Sequence, residues 1–279
     1  MDYSIKSFVK TNEYLVCIDS DGCAIDSMTI KHNKAFGPAF IEVFGLDNYK
    51  VDLLLEWDRI NLYSLTRGIN RFKGLNMILH YCNDNYEVIN DLEDFDRFCN
   101  TTKAFSNDAL EEYKRNNPSH ILDLCLEWSI LTNKKIKEIP KVEIKPFEYV
   151  KESLIELSKI ANIAVVSSAN FDAIWDEWNR FDLIKYVDCF CSQNDGTKEI
   201  CINKLLYKGF ESKHVVMFGD GPGDLKAAIH NGIYFYPILC KKEKESWHDS
   251  LKYVEYISNN TFGEYQEDLV DNFKDNLKE

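Results

Sequence analysis

The chain has 279 residues, 45% hydrophobic and 28% charged, which is enough for one sizeable core and a smaller accessory domain. Its formal net charge of -13 argues against a nucleic-acid or anionic-membrane partner, since such a surface attracts neither. No apolar stretch approaches a membrane span and the opening Met1 to Lys10 lacks a signal-peptide core, so a cytoplasmic location is expected.

In chain order, the apolar run Tyr14 to Ile18 stops on Asp19-Ser20-Asp21-Gly22. It reads as a buried strand that delivers two carboxylates to its carboxyl end, the edge at which open α/β sheets bind ligands. The chain turns at that point, so both carboxylates and the neighbouring carbonyls can converge on one cation or one phosphoryl group. Hard oxygen donors of this kind suit magnesium.

From Ser27 to about Lys145 helix-like spacing dominates, as in Lys34 to Phe44 and Ile121 to Leu131, with breaks at Gly45, from Gly68 to Gly74, at Pro118, and at Pro140 and Pro146. An insertion of this length is a domain. Within it, Arg67, Arg71 and Lys73 gather around Gly68 and Gly74 in a chain that is otherwise acidic. Glycines admit a ligand close to the backbone and arginines bind phosphate or carboxylate bidentately, so Arg67 and Arg71 are candidate substrate contacts. The competing reading is a basic turn that pairs with Asp52, Glu56 or Asp58. His32 and the five tryptophans read as packing residues.

Beyond the insertion, Asn162 to Val166 is a second apolar run, ending on Ser167 and Ser168, and His214 to Phe218 is a third, ending on Gly219-Asp220-Gly-Pro-Gly-Asp224. Between them Lys198 opens a helix after the loop Asn194 to Thr197. Gly232 to Leu239 reads as a further strand, and the acidic tail from Lys241 to Glu279 as helical. The nine cysteines, odd in number and scattered through core segments, read as reduced thiols; the Cys189-Phe-Cys191 pair lacks partners for a zinc site and fits strand alternation. Cys23, beside the aspartates, is the one thiol expected to be oxidation-sensitive.

The ordered set of Asp19 with Asp21, Ser167, Lys198, and Asp220 with Asp224 resembles the four motifs of the haloacid dehalogenase superfamily, in its helical-cap subgroup of phosphoglycolate phosphatase and beta-phosphoglucomutase-like enzymes. That resemblance implies an α/β fold: a Rossmann-like doubly wound parallel sheet, residues 1–26 plus 145–279, with a separate α-helical cap, residues 27–144, that sets substrate specificity. It implies Asp19 as nucleophile and Asp21 as acid and base, with Ser167 and Lys198 on the phosphoryl oxygens. It further implies magnesium held by Asp19, the Asp21 carbonyl, Asp220 and Asp224, and phosphoryl contacts from Gly22 and Ser168. Cys23 stands where the family commonly has Thr or Val, and Lys204 competes with Lys198 as the motif lysine.

The function implied is magnesium-dependent hydrolysis of a small phosphorylated metabolite through an aspartyl phosphate. The alternatives are a phosphomutase on a sugar phosphate and a non-catalytic binding or regulatory protein that keeps the fold. Neither the substrate nor the oligomeric state is legible in the sequence.

Overall fold

A computed structural model describes residues 2–278. In chain order it begins with β1 (Tyr14–Ile18) and β2 (Ile25–Asp26), and continues through α1 (Met28–Lys31), α2 (Gly37–Phe44), α3 (Lys50–Leu62), α4 (Arg71–Tyr86), α5 (Leu92–Thr101), α6 (Asn107–Asn116) and α7 (His120–Glu138). There follow β3 (Lys145–Pro146), α8 (Val150–Leu157), β4 (Ala161–Val166), α9 (Phe171–Arg180), β5 (Cys189–Cys191) and α10 (Lys198–Leu206). The chain closes with β6 (Val215–Gly219), α11 (Pro222–Asn231), β7 (Tyr234–Pro237), α12 (Glu243–Ser258) and α13 (Gln266–Asn276). These elements form two compact units, one of residues 1–28 and 144–279, the other Thr29–Glu143.

The first unit is built on a five-stranded parallel sheet in the order β5-β4-β1-β6-β7. Both faces of a parallel sheet carry helices, so its strands must be apolar throughout rather than alternating. Leu15, Val16, Cys17 and Ile18 are accordingly all fully buried. Strand β1 lies at the centre, with Ile18 registered against Val165 on one side and Phe218 on the other. The chain fills one side of β1 with β4 and β5, then returns to the other side for β6 and β7, so the winding reverses at β1. A reversal of this kind opens a crevice beyond the carboxyl ends of the strands, and it is there that Asp19, Ser167 and Asp220 follow β1, β4 and β6. A separate two-stranded ribbon pairs β2 with β3, placing Ile25 opposite Pro146.

The second unit is helical. Its core gathers Phe36, Phe40, Trp57, Phe72 and Trp128. Trp57 meets Phe40 at 5.6 Å between centroids and Trp128 edge-on at 5.9 Å. Its indole N–H donates to His32 Nδ1 at 3.0 Å, and the His32 ring stacks on Phe36, so His32 is a packing residue of this core. A five-residue π-helical turn, His32–Phe36, joins α1 to α2, and Gly45 ends α2 in the left-handed conformation with φ 64°.

Truncation of Trp57 removes a fully buried indole from the middle of this cluster and takes away its hydrogen bond to His32 Nδ1. Trp57→Ala is expected to cost about 3–5 kcal/mol of unfolding free energy, measured by urea denaturation; a loss under about 1 kcal/mol would contradict this account of the core.

Candidate active site

The end of β1 is held before it is chemical. The Asp19 amide donates to the Phe218 carbonyl at 3.0 Å, extending the pairing with β6 by one residue. The chain then turns: Gly22 takes φ 81°, and the amides of Ala24 and Ile25 both return to the Ser20 carbonyl, at 3.1 and 2.9 Å. Two indoles brace this turn. Trp178 Nε1 donates to Ser20 Oγ at 2.9 Å and Trp247 Nε1 to the Cys23 carbonyl at 2.8 Å. Both rings are fully buried. Sequence reasoning gave these tryptophans only a packing role, because nothing local links them to a turn that lies far away in the chain.

Lys198 opens α10 behind the N-cap Thr197. Its ammonium sits 2.9 Å from Asp19 Oδ1 and 2.6 Å from Asp224 Oδ1. Asp224 lies in the first turn of α11, where the helix dipole favours a carboxylate, and its other oxygen accepts from the Gly221 amide at 3.0 Å. Lys204, the competing lysine, is exposed and donates to the Asp195 carbonyl at 2.6 Å. Lys198 is therefore the lysine brought to the aspartates.

Asp19, Asp220 and Asp224 are buried, and carboxylate oxygens from all three lie within 4.8 Å of one another. Burial pushes the Asp19 carboxyl well above its ordinary range; Lys198 pulls it down, and Asp224 and Asp220 push it further up. Burial alone would lower the Lys198 ammonium, but Asp19 and Asp224 outweigh it and hold the group charged far above its usual range. Three carboxylates facing one ammonium leave a buried excess of negative charge. A divalent cation that takes oxygen ligands fits this donor set in both charge and hardness.

Asp21 is not one of these three. Its carboxylate accepts a hydrogen bond from the Ser27 hydroxyl, and its backbone bridges to Ile25. Ser167 is buried; its amide donates to the Cys191 carbonyl at 3.0 Å and its Oγ accepts from the Ala169 amide at 3.2 Å, which leaves the hydroxyl proton available to donate. Ser168 beside it is exposed, whereas Gly22 is buried in the turn.

The expectation that Cys23 is oxidation-sensitive is corrected here. Its thiol is fully buried and donates to the Phe218 carbonyl at 3.6 Å. Burial first, and then the charges of Asp220, Asp19 and Asp224, push it well above the ordinary thiol range, which disfavours the reactive thiolate.

In the second unit, Arg67 is buried and donates to the Leu62 carbonyl at 2.7 Å. Arg71 donates to Asn133 Oδ1 at 2.7 Å and lies over the Phe36 ring at 5.0 Å; burial lowers its guanidinium. Asp52 accepts from the hydroxyls of Tyr81 and Tyr86 and Glu56 from Arg59, so these two acidic groups have other partners.

Residues 69–238, more than half of the chain, match the family profile of haloacid dehalogenase-like hydrolases. The chain belongs to this family. The matched span holds Ser167, Lys198, Asp220 and Asp224 but begins after Asp19 and Asp21, so it is the ion pair from Lys198 that ties this hydrolase's first aspartate to the rest. Comparison with curated proteins gives no match.

Among solved structures, the hydrolase is similar to a candidate phosphoglycolate phosphatase from Lactobacillus delbrueckii subsp. bulgaricus, with 13% identity, a TM-score of 0.51, and 81% of this chain and 85% of that one covered. It also resembles a haloacid dehalogenase-like hydrolase from Streptococcus pneumoniae at 14% identity and TM-score 0.48, covering 87% and 97%. A candidate beta-phosphoglucomutase from Thermotoga maritima matches at 18% and 0.44, covering 80% and 84%. The first of these, with a TM-score above 0.5, shows a shared fold.

Gly219 is the residue on which the cluster's geometry most directly depends. A Cβ there would stand 2.2 Å from the Asp224 Cβ, so strand β6 and α11 meet only because no side chain intervenes. Gly219→Ala is expected to push Asp224 out of place and weaken any divalent-cation binding at the cluster about tenfold or more, read by calorimetry, at a stability cost of about 1–3 kcal/mol. Unchanged affinity would show that Asp224 is not needed for the cation.

Proposed function

We propose that this hydrolase is a magnesium-dependent phosphatase of a small phosphorylated metabolite, working through an aspartyl phosphate on Asp19. The observation that carries the reading is the Lys198 ammonium held between Asp19 and Asp224, with Asp220 beside them, at the ends of adjacent parallel strands. Asp19, Asp220, Asp224 and the Asp21 carbonyl would hold the magnesium ion, whose positive charge would offset the buried carboxylates and favour a bound phosphate.

In the first step an Asp19 carboxylate oxygen bonds to phosphorus while the bond from phosphorus to the substrate oxygen breaks, and Asp21 gives its proton to that leaving oxygen. In the second step water attacks phosphorus, Asp21 takes its proton, and the Asp19 carboxylate departs with inorganic phosphate released. Ser167 donates its free hydroxyl proton to a phosphoryl oxygen and Lys198 screens the charge spread over the others; phosphoryl transfer depends mainly on such positioning and electrostatics. Ser27 holds the Asp21 carboxyl by hydrogen bond and so restricts where its proton can be delivered. We assign the choice of substrate to the helical second unit, with Arg67 and Arg71 as its anion-binding side chains.

Phosphate release from a panel of phosphorylated metabolites tests the reading, with magnesium and with chelator. Turnover is expected only with magnesium and is expected to fall by at least about a thousandfold in Asp19→Asn. Turnover that survives chelation or the substitution would overturn it, and an isomerised sugar phosphate formed without free phosphate would replace the phosphatase by a mutase. On the best substrate of that panel, Arg71→Ala is expected to raise KM about tenfold with a smaller effect on kcat; an unchanged KM would remove Arg71 from the substrate contacts.

A further inference from the structure

The first unit carries a second concave feature, on the outer side of its sheet. Strand β5 is an edge strand, and the Phe190 amide donates to the Tyr3 carbonyl at 2.8 Å, so the segment around Tyr3 runs along that edge. This seats the Tyr3 ring against Trp175 and Phe190, with centroids 5.2 and 5.8 Å away, and Phe171 stacks on Trp175 at 5.8 Å. The four rings line a cavity of about 430 Å³ together with Asp2 and Asp195. That volume lies in the range of small-molecule sites. Packing explains Phe190, which is 1% exposed; it does not explain Phe171, which leaves 38% of its surface open in the same lining.

The charges select the occupant. Among the described residues the lining has two carboxylates and no lysine, arginine or histidine. Asp195 uses Oδ2 for both hydrogen bonds from Ser192, and Oδ1 accepts none among the described residues. An anion would be repelled by this pair, and a neutral apolar molecule would strip water from the carboxylates without replacing it. A cation with an apolar periphery satisfies both halves at once, since ring faces are electrostatically negative and methyl groups pack flat against them. A primary ammonium is strongly hydrated and gives up more than a methylated one on entering such a cavity. We infer that the cavity is a binding site for a methylated organic ammonium, separate from the catalytic strand ends and independent of the phosphatase reading.

Choline, titrated into the full chain by calorimetry, is the probe, with 3,3-dimethylbutan-1-ol as its neutral isostere. Saturable choline binding at one site is expected, with the isostere at least about tenfold weaker, because only the charge differs. Phe171→Ala and Asp195→Asn, a half-open ring and a near-isosteric change at a surface turn, are each expected to weaken choline about three- to tenfold while circular dichroism shows the parent fold. Asp19→Asn is expected to leave the affinity unchanged. The inference is overturned if choline fails to bind up to about 50 mM, if the isostere binds equally well, or if both folded cavity variants bind as the parent does. Loss of binding in Asp19→Asn would move the cation to the catalytic carboxylates and overturn it too.

Discussion

Three carboxylates buried around a single ammonium is the condition that the rest of the first unit exists to maintain. Taken out of water, Asp19, Asp220 and Asp224 repel one another, and Lys198 offsets only part of that repulsion. Such a group is stable only where the backbone leaves it no room to relax. The central position of β1 supplies that rigidity, with a strand paired along each side up to the residue before Asp19, and so does the bare Gly219 backbone against Asp224. Trp178 and Trp247 complete it by fixing the turn on either side of Asp21. Rigidity of this kind is what electrostatic catalysis requires, because charges that need not move during the reaction cost nothing to reorganise.

The parts of this arrangement that were legible in the sequence are those carried by a short stretch of chain. Apolar runs ending on Asp19, Ser167 and Asp220 announce buried parallel strands, since only a strand covered on both faces is apolar at every position. Lys198 was legible from its loop and helix start, but its advantage over Lys204 is settled by distance alone: one lysine reaches Asp19, and the other turns back to the Asp195 carbonyl. The indole braces were not legible, because a hydrogen bond between Trp178 and Ser20 leaves no periodic trace in either segment. The burial of Cys23 was missed for a related reason. Nearness in sequence to a reactive centre suggested access, whereas the thiol lies beneath the turn and against β6.

The second unit interrupts the first, yet the interruption costs the sheet little. Its two crossings are tied together by the short ribbon of β2 and β3, where Ile25 faces Pro146, so the flanks of the insertion leave side by side. The closure entropy of the insertion is then set by this ribbon and grows only slowly with inserted length. A helical unit with its own aromatic core can be placed there, and altered, without disturbing the strand ends that hold the carboxylates.

The central position of β1 also sets the order of events during synthesis. Its partners β4 and β6 both lie beyond the insertion, so β1 leaves the ribosome as an apolar strand with neither neighbour yet made. The second unit, contiguous from Thr29 to Glu143, is complete before either partner appears. In the nascent chain the contiguous second unit can therefore form first, while the apolar strand β1 waits for both of its neighbours, as is characteristic of slow, non-local parallel sheets.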